Sequence, residues 1–165
     1  MKHTRRTVIG GAGAALIAGT VAFVPGRRSE AKPRFPYQLS DAEWHRRLSP
    51  AAYKVLRRAD TERAGSSPLD REKRPGTYVC AGCGNPVYSS KDKYDSGTGW
   101  PSFIRPRPRG IVTQPDKGWF GTQTEVLCRR CGGHLGHVFD DGPPPTGKRF
   151  CMNGVAMRFV PLRSG

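Results

Sequence analysis

The apolar and polar positions change period twice along the chain. Residues 8–24 are an apolar run of small side chains, preceded by Thr4-Arg5-Arg6-Thr7 and followed by Pro25-Gly26-Arg27-Arg28. After a proline-rich link at 33–36, Ser40-Asp41-Ala42-Glu43 has the serine-to-glutamate spacing of a capping box, which predicts a short helix to about Leu48. Ser49-Pro50 restarts a second helix. In it Ala52, Val55, Leu56 and Ala59 recur at helical spacing, with Arg57 and Arg58 on the other side, so it packs one face on the domain edge. From Thr77 the pattern turns to short strands broken by Gly, Pro and Asp, predicted at 77–80, 86–88, 110–113, 119–126, 135–139 and 149–160. Pro106-Arg107-Pro108 and Pro143-Pro144-Pro145 cannot join a central ladder and belong to loops or edges. The expected fold is mainly β, with short N-terminal helices and no internal repeat.

In the last predicted strand, alternation places Arg149, Cys151 and Asn153 on one face and Phe150 and Met152 on the other. A guanidinium two residues from a thiol favours the thiolate, which is the nucleophilic form. A lone cysteine in a strand is also a common core residue. The polar neighbours favour the reactive reading.

The other four cysteines form two C-x-x-C pairs, Cys80/Cys83 and Cys128/Cys131, with glycines around each pair. Two intervening residues let both thiolates reach one ion, and a second pair completes a tetrahedron, so the spacing reads as structural zinc. Two disulfides or a redox pair are the competing readings, and neither explains the duplicated glycines. The 44 residues between Cys83 and Cys128 exceed the span of a compact zinc ribbon, so the ion is expected to clip two distant hairpins of one domain.

Composition narrows the class. A 165-residue chain that is 36% hydrophobic, with 21 Gly and 15 Pro, supports one domain with a modest core and many turns. Its formal charge is +15, and beyond residue 34 there remain 21 basic and 12 acidic side chains, a balance of +9. A basic body admits nucleic acid, an anionic surface or acidic partners, but no aromatic-interleaved RNA motif or recognition-helix pattern accompanies it. Arg57-Arg58 and the proline-spaced arginines of 105–109 read as solvated surface. The charged N-terminus with its apolar run resembles a twin-arginine export signal. Export to the periplasm is the expectation, testable by cell fractionation, with an uncleaved membrane anchor as the alternative.

Two further clusters carry chemistry. His134 and His137 follow the second cysteine pair and precede Asp140-Asp141. They read as acid/base groups held near a rigid clip, because four cysteines already complete a metal site, while metal ligation or a place in the core or surface remain the alternatives. Ser96-Gly97-Thr98-Gly99-Trp100-Pro101-Ser102-Phe103 forms a glycine-rich loop in which Trp100 and Phe103 form an apolar wall of a pocket, or else sit in the core.

These segments taken in order, Cys80-x-x-Cys83-Gly84, Tyr94-Asp95-Ser96-Gly97 through Phe103, Thr124-Glu125-Val126, Cys128-x-x-Cys131, the run from His134 to Pro143, and Arg149-Phe150-Cys151-Met152-Asn153, resemble methionine-R-sulfoxide reductase of the B type over residues 39–159. The resemblance implies two antiparallel sheets, a structural zinc clip away from the active centre, and a catalytic domain at 39–165 behind a signal or anchor (1–30) and a linker (31–38). It implies reduction of the R epimer of methionine sulfoxide, in oxidised proteins or free; a monomer that binds no nucleic acid is the accompanying expectation. By matching position, Cys151 is the nucleophile, and His137, with His134 and Asp141, binds and protonates the sulfoxide oxygen. Trp100 contacts the substrate methyl, Asn153 holds the site and Arg149 favours the thiolate. Many relatives carry a resolving cysteine where this chain has Thr98, so a sulfenic acid on Cys151 is expected to be reset by an external, thioredoxin-like or small-molecule thiol. A zinc-ribbon-like module that binds nucleic acid or protein without catalysis is the alternative; it predicts that Cys151→Ser leaves function intact.

Overall fold

The computed structural model describes residues 34–118 and 121–162, which belong to one compact unit. The expected signal or anchor at 1–30 lies outside the described residues, as do Trp119 and Phe120 at the start of one predicted strand.

Both predicted helices form. In α1 (Asp41–Arg47) the Ser40 hydroxyl accepts from the Glu43 N–H while the Glu43 carboxylate accepts from the Ser40 N–H, satisfying two backbone donors that the helix itself cannot. In α2 (Pro50–Arg58) Ser49 caps the first turn, and Ala59 ends the helix in the left-handed region, exposed rather than packed. The buried stripe of α2 is Ala52, Tyr53, Val55 and Leu56.

Among the described residues nine strands follow in two sheets whose neighbours all pair antiparallel. The first sheet is ordered β2 (Pro86–Ser89), β1 (Gly76–Cys80), β9 (Met157–Pro161). The second runs β3 (Lys93–Tyr94), β4 (Ser102–Phe103), β8 (Arg149–Met152), β7 (His134–Phe139), β6 (Gly121–Cys128), β5 (Ile111–Gly118). The core lies between them. Phe103 of β4 stacks on Tyr88 of β2 at 4.3 Å and meets Tyr78 of β1 edge-on at 4.9 Å, so aromatic rings bridge the sheets.

Three differences from the sequence expectation have physical causes. The single strand expected at 149–160 is two strands in different sheets, because a 3-10 turn at Gly154–Ala156 redirects the chain. The strand expected at 110–113 continues as β5 through Pro115, which is tolerated because β5 is an edge strand. The two-residue strands β3 and β4 are too short to show a period.

Candidate active site

Cys151 stands in mid-β8, opposite Ser102 of β4 on one side and His137 of β7 on the other. The pleat sends these three to one face. Their neighbours Phe103, Phe150 and Val138, also mutually paired, go to the core face. Phe103 is therefore not a pocket wall: it is fully buried between Tyr78 and Tyr88, and alternation along β4 points it away from Cys151. Trp100 is half-buried in the preceding loop, where its indole N–H donates to the Glu62 carbonyl at 3.1 Å.

His134 and His137, three residues apart, would lie on opposite faces of a regular strand. A bulge reconciles them. Val126 pairs with Gly136 but Leu127 pairs with His134, which leaves Leu135 as the extra residue and returns His134 to the side of His137. Their ring centroids are 5.2 Å apart, edge to face. Gly136 has φ +153°, and a Cβ there would run into the Cys151 carbonyl oxygen, so the bulge needs glycine. Asn153 clamps it: the backbone and side-chain N–H groups of Asn153 both donate to the Leu135 carbonyl, at 2.8 and 3.2 Å. The Asn153 side-chain oxygen accepts from the Glu62 N–H at 2.9 Å. Asn153 thus lies just past β8, buried, and holds the strand that carries the histidines rather than sharing an open face with Cys151.

The histidines have separate carboxylate partners. His134 Nδ1 lies 2.6 Å from Glu125 Oε1, and Gln114 donates to the other Glu125 oxygen at 2.7 Å. The hydrogen bond with His134 holds the Glu125 carboxyl below its ordinary range, against the opposing effect of burial. His134 Nε2 is buried and has no hydrogen-bond partner among the described residues, which leaves a position open for a water or a ligand oxygen. His137 Nε2 lies 3.0 Å from Asp116 Oδ2.

Arg149 grips Asp141 through two bonds of 2.8 Å and covers the Phe139 ring at 4.3 Å. Asp141, expected beside the histidines, is largely exposed and committed to that guanidinium. Burial pushes the Cys151 thiol up, opposed by the Thr98 hydroxyl and then by the Arg149 charge. The expected effect of Arg149 has the right sign but is outweighed. Thr98 Oγ1 is 3.8 Å from Cys151 Sγ.

Glu62, which no motif singles out, organises this region. Its carboxylate accepts from the N–H groups of Gly154 and Val155 at 2.7 and 2.8 Å, its own N–H donates to Asn153, and its carbonyl receives Trp100. It sits in a polar loop with no periodicity or spacing to mark it. Glu125 belongs to a recognisable segment, but only the fold reveals that it meets His134.

Away from this face, the sulfurs of Cys80, Cys83, Cys128 and Cys131 all lie within 4.8 Å of one another, with Cys80 to Cys131 at 3.7 Å and Cys83 to Cys128 at 3.5 Å. A tetrahedral ion with metal–sulfur bonds of about 2.3 Å needs sulfurs about 3.8 Å apart, so the cluster fits a metal ion. The Asn85 side-chain N–H donates to Cys128 Sγ at 3.7 Å. A cavity of about 890 Å³ lies elsewhere, between α2 and β9; Cys151, both histidines and Trp100 are not in its lining.

The SelR domain family matches residues 48–161 of the chain. A peptide methionine sulfoxide reductase MsrB of Leptospira interrogans is 49% identical over 121 residues, covering 73% of this chain and 92% of that protein. The protein of the same name from Bradyrhizobium diazoefficiens is 50% identical over 123 residues, 74% and 88% of the two chains. That of Methanosarcina barkeri is 49% identical over 129 residues, 78% and 91%.

Proposed function

This chain belongs to the peptide methionine sulfoxide reductase MsrB family, and on that premise we propose that it reduces the R epimer of methionine sulfoxide in oxidised proteins through Cys151. The observation that carries the reading is Cys151 itself: the one cysteine outside the metal cluster, half-buried, on the face shared with His137 and within reach of the Thr98 hydroxyl. Its thiolate attacks the sulfoxide sulfur, the oxygen is protonated, methionine departs, and the oxygen is retained as a sulfenic acid on Cys151. His134 and His137 hold and protonate that oxygen, the buried Nε2 of His134 offering the open hydrogen-bonding position and Glu125 and Asp116 orienting the rings. Trp100, fixed by Glu62, contacts the substrate methyl.

Thr98 stands where a resolving cysteine would, so one external thiol displaces water from the sulfenic acid to give a mixed disulfide, and a second thiol releases Cys151 and leaves as the external disulfide. The four-cysteine cluster holds structural zinc, with thiolates from β1 and β6 and from the turns that follow them. Separate R and S epimers, supplied with dithiothreitol, test the reading. Turnover of the R epimer alone is expected, and Cys151→Ser is expected to abolish it with metal content unchanged. A Cys151→Ser protein that still turns over at the wild-type rate overturns it.

A further inference from the structure

We propose that Ser96 is a positioning residue for Cys151: it holds the Thr98 hydroxyl turned away from the sulfur while Cys151 is a thiol, and the chain of hydroxyls joining them to Ser102 reverses its direction of donation when Cys151 ionises. This deepens the reductase reading and rests on it.

Four contacts run in line. Cys151 Sγ meets Thr98 Oγ1 at 3.8 Å, Thr98 meets Ser96 Oγ at 2.8 Å, Ser96 meets Ser102 Oγ at 2.7 Å, and Ser102 donates to the Trp100 carbonyl at 3.0 Å. Each hydroxyl owns one hydrogen, and the carbonyl only accepts. In the thiol form there are four hydrogens for four contacts, and all are made only if every donor points the same way: Cys151 to Thr98, Thr98 to Ser96, Ser96 to Ser102, Ser102 to Trp100. In the thiolate form three hydrogens remain. The charged sulfur takes the Thr98 hydrogen, Ser96 turns to Thr98, Ser102 turns to Ser96, and the Trp100 carbonyl is released. The S–H bond breaks and its proton leaves to solvent water; the hydroxyls rotate and keep their own hydrogens.

Ionisation of the nucleophile is thereby linked to the backbone of the loop that presents Trp100. Ser102 is fully buried, so its hydroxyl must find its partners within this chain. The direction in which Thr98 acts on Cys151, opposing the effect of burial, agrees with donation to the thiolate.

The other titratable and charged groups around Cys151 are Arg149 on its own strand with its partner Asp141, Tyr94 on β3, and His137 on β7 with its partner Asp116. None of them changes in the variants below, so differences between variants report the hydroxyl chain.

The chain makes a prediction of opposite signs. Thr98→Val removes the donor to the thiolate and is expected to raise the Cys151 pKa by about one unit, slowing alkylation at neutral pH about tenfold. Ser96→Ala leaves the Thr98 hydroxyl with the sulfur as its one side-chain partner among the described residues, so it is expected to lower the pKa and speed alkylation severalfold. Thr98→Ser keeps the hydroxyl and is expected to restore the wild-type profile, which separates loss of the donor from damage to the loop. The measurement is the rate of iodoacetamide labelling of the Cys151 peptide against pH, read by mass spectrometry, on the full protein. An unchanged or raised pKa in Ser96→Ala overturns the proposal. The labelling does not depend on turnover, so it separates failure of the hydroxyl chain from failure of the reductase reading, which Cys151→Ser tests.

Discussion

A single methyl group at Gly136 is enough to disturb the face that Cys151 shares with His137. The glycine holds a backbone angle that L side chains rarely adopt, and the Cys151 carbonyl and Met152 occupy the space a Cβ would need. The nearest obstacle, the Cys151 carbonyl oxygen, and the Met152 Cα beside it are backbone of β8, so relief requires β7 and β8 to separate. Gly136→Ala is expected to cost about 3 kcal/mol, the size of a strained backbone site combined with a steric clash. Urea denaturation checks it, and a midpoint equal to that of the wild type would show that the bulge relaxes freely. At this scale sequence reading is strong for atoms that do chemistry and weak for atoms that hold them. The four clustered cysteines are legible because their spacing lets their sulfurs reach one point, and Cys151 stands out as the cysteine left over. Phe103 misleads because an aromatic residue in a glycine-rich loop looks like a pocket wall until β4 is seen to pair with β8.

The element that matters most is β7, whose bulge puts two histidines on one side, where the pair of Glu125 and His134 ties β6 to it. Glu125 is held below its ordinary carboxyl range chiefly by the hydrogen bond with His134. Since the folded carboxyl binds its proton less readily than the unfolded one, this contribution is complete above the unfolded pKa of about 4.3 and is lost as pH falls through the folded value. Stability measured by chemical denaturation from pH 6 downward is expected to fall more steeply in the wild type than in Glu125→Gln. Parallel curves would remove Glu125 from the acid sensitivity. Helix boundaries were readable because capping is local chemistry, as Ser40 and Glu43 show. The bulge was not, since a strand carrying His134-Leu135-Gly136-His137 shows its extra residue only against the register of β6.

Across the whole molecule, the four-cysteine cluster draws its sulfurs from the ends of both sheets. Cys80 ends β1 and Cys83 lies in the turn after it, in the three-stranded sheet; Cys128 ends β6 and Cys131 lies in the turn after it, in the six-stranded sheet. The thiols that meet are 45 and 51 residues apart in sequence. By analogy with a covalent cross-link, closing a loop of that length in the unfolded chain is worth about 4 kcal/mol. Bound zinc would add this constraint to a core that already joins the sheets through Tyr78, Tyr88 and Phe103, so removing it should weaken the fold rather than abolish it. For a domain of this size the expected fall in Tm is on the order of 10–20 °C after chelation under reducing conditions. His134 begins β7 only three residues after Cys131, so the loss of the clip also loosens the entry to the histidine bulge, and activity should decline below the metal-free Tm. Calorimetry paired with metal analysis decides this: a metal-free protein that melts with the holoprotein and retains full turnover would mean that the cluster fastens nothing that the aromatic core does not already hold.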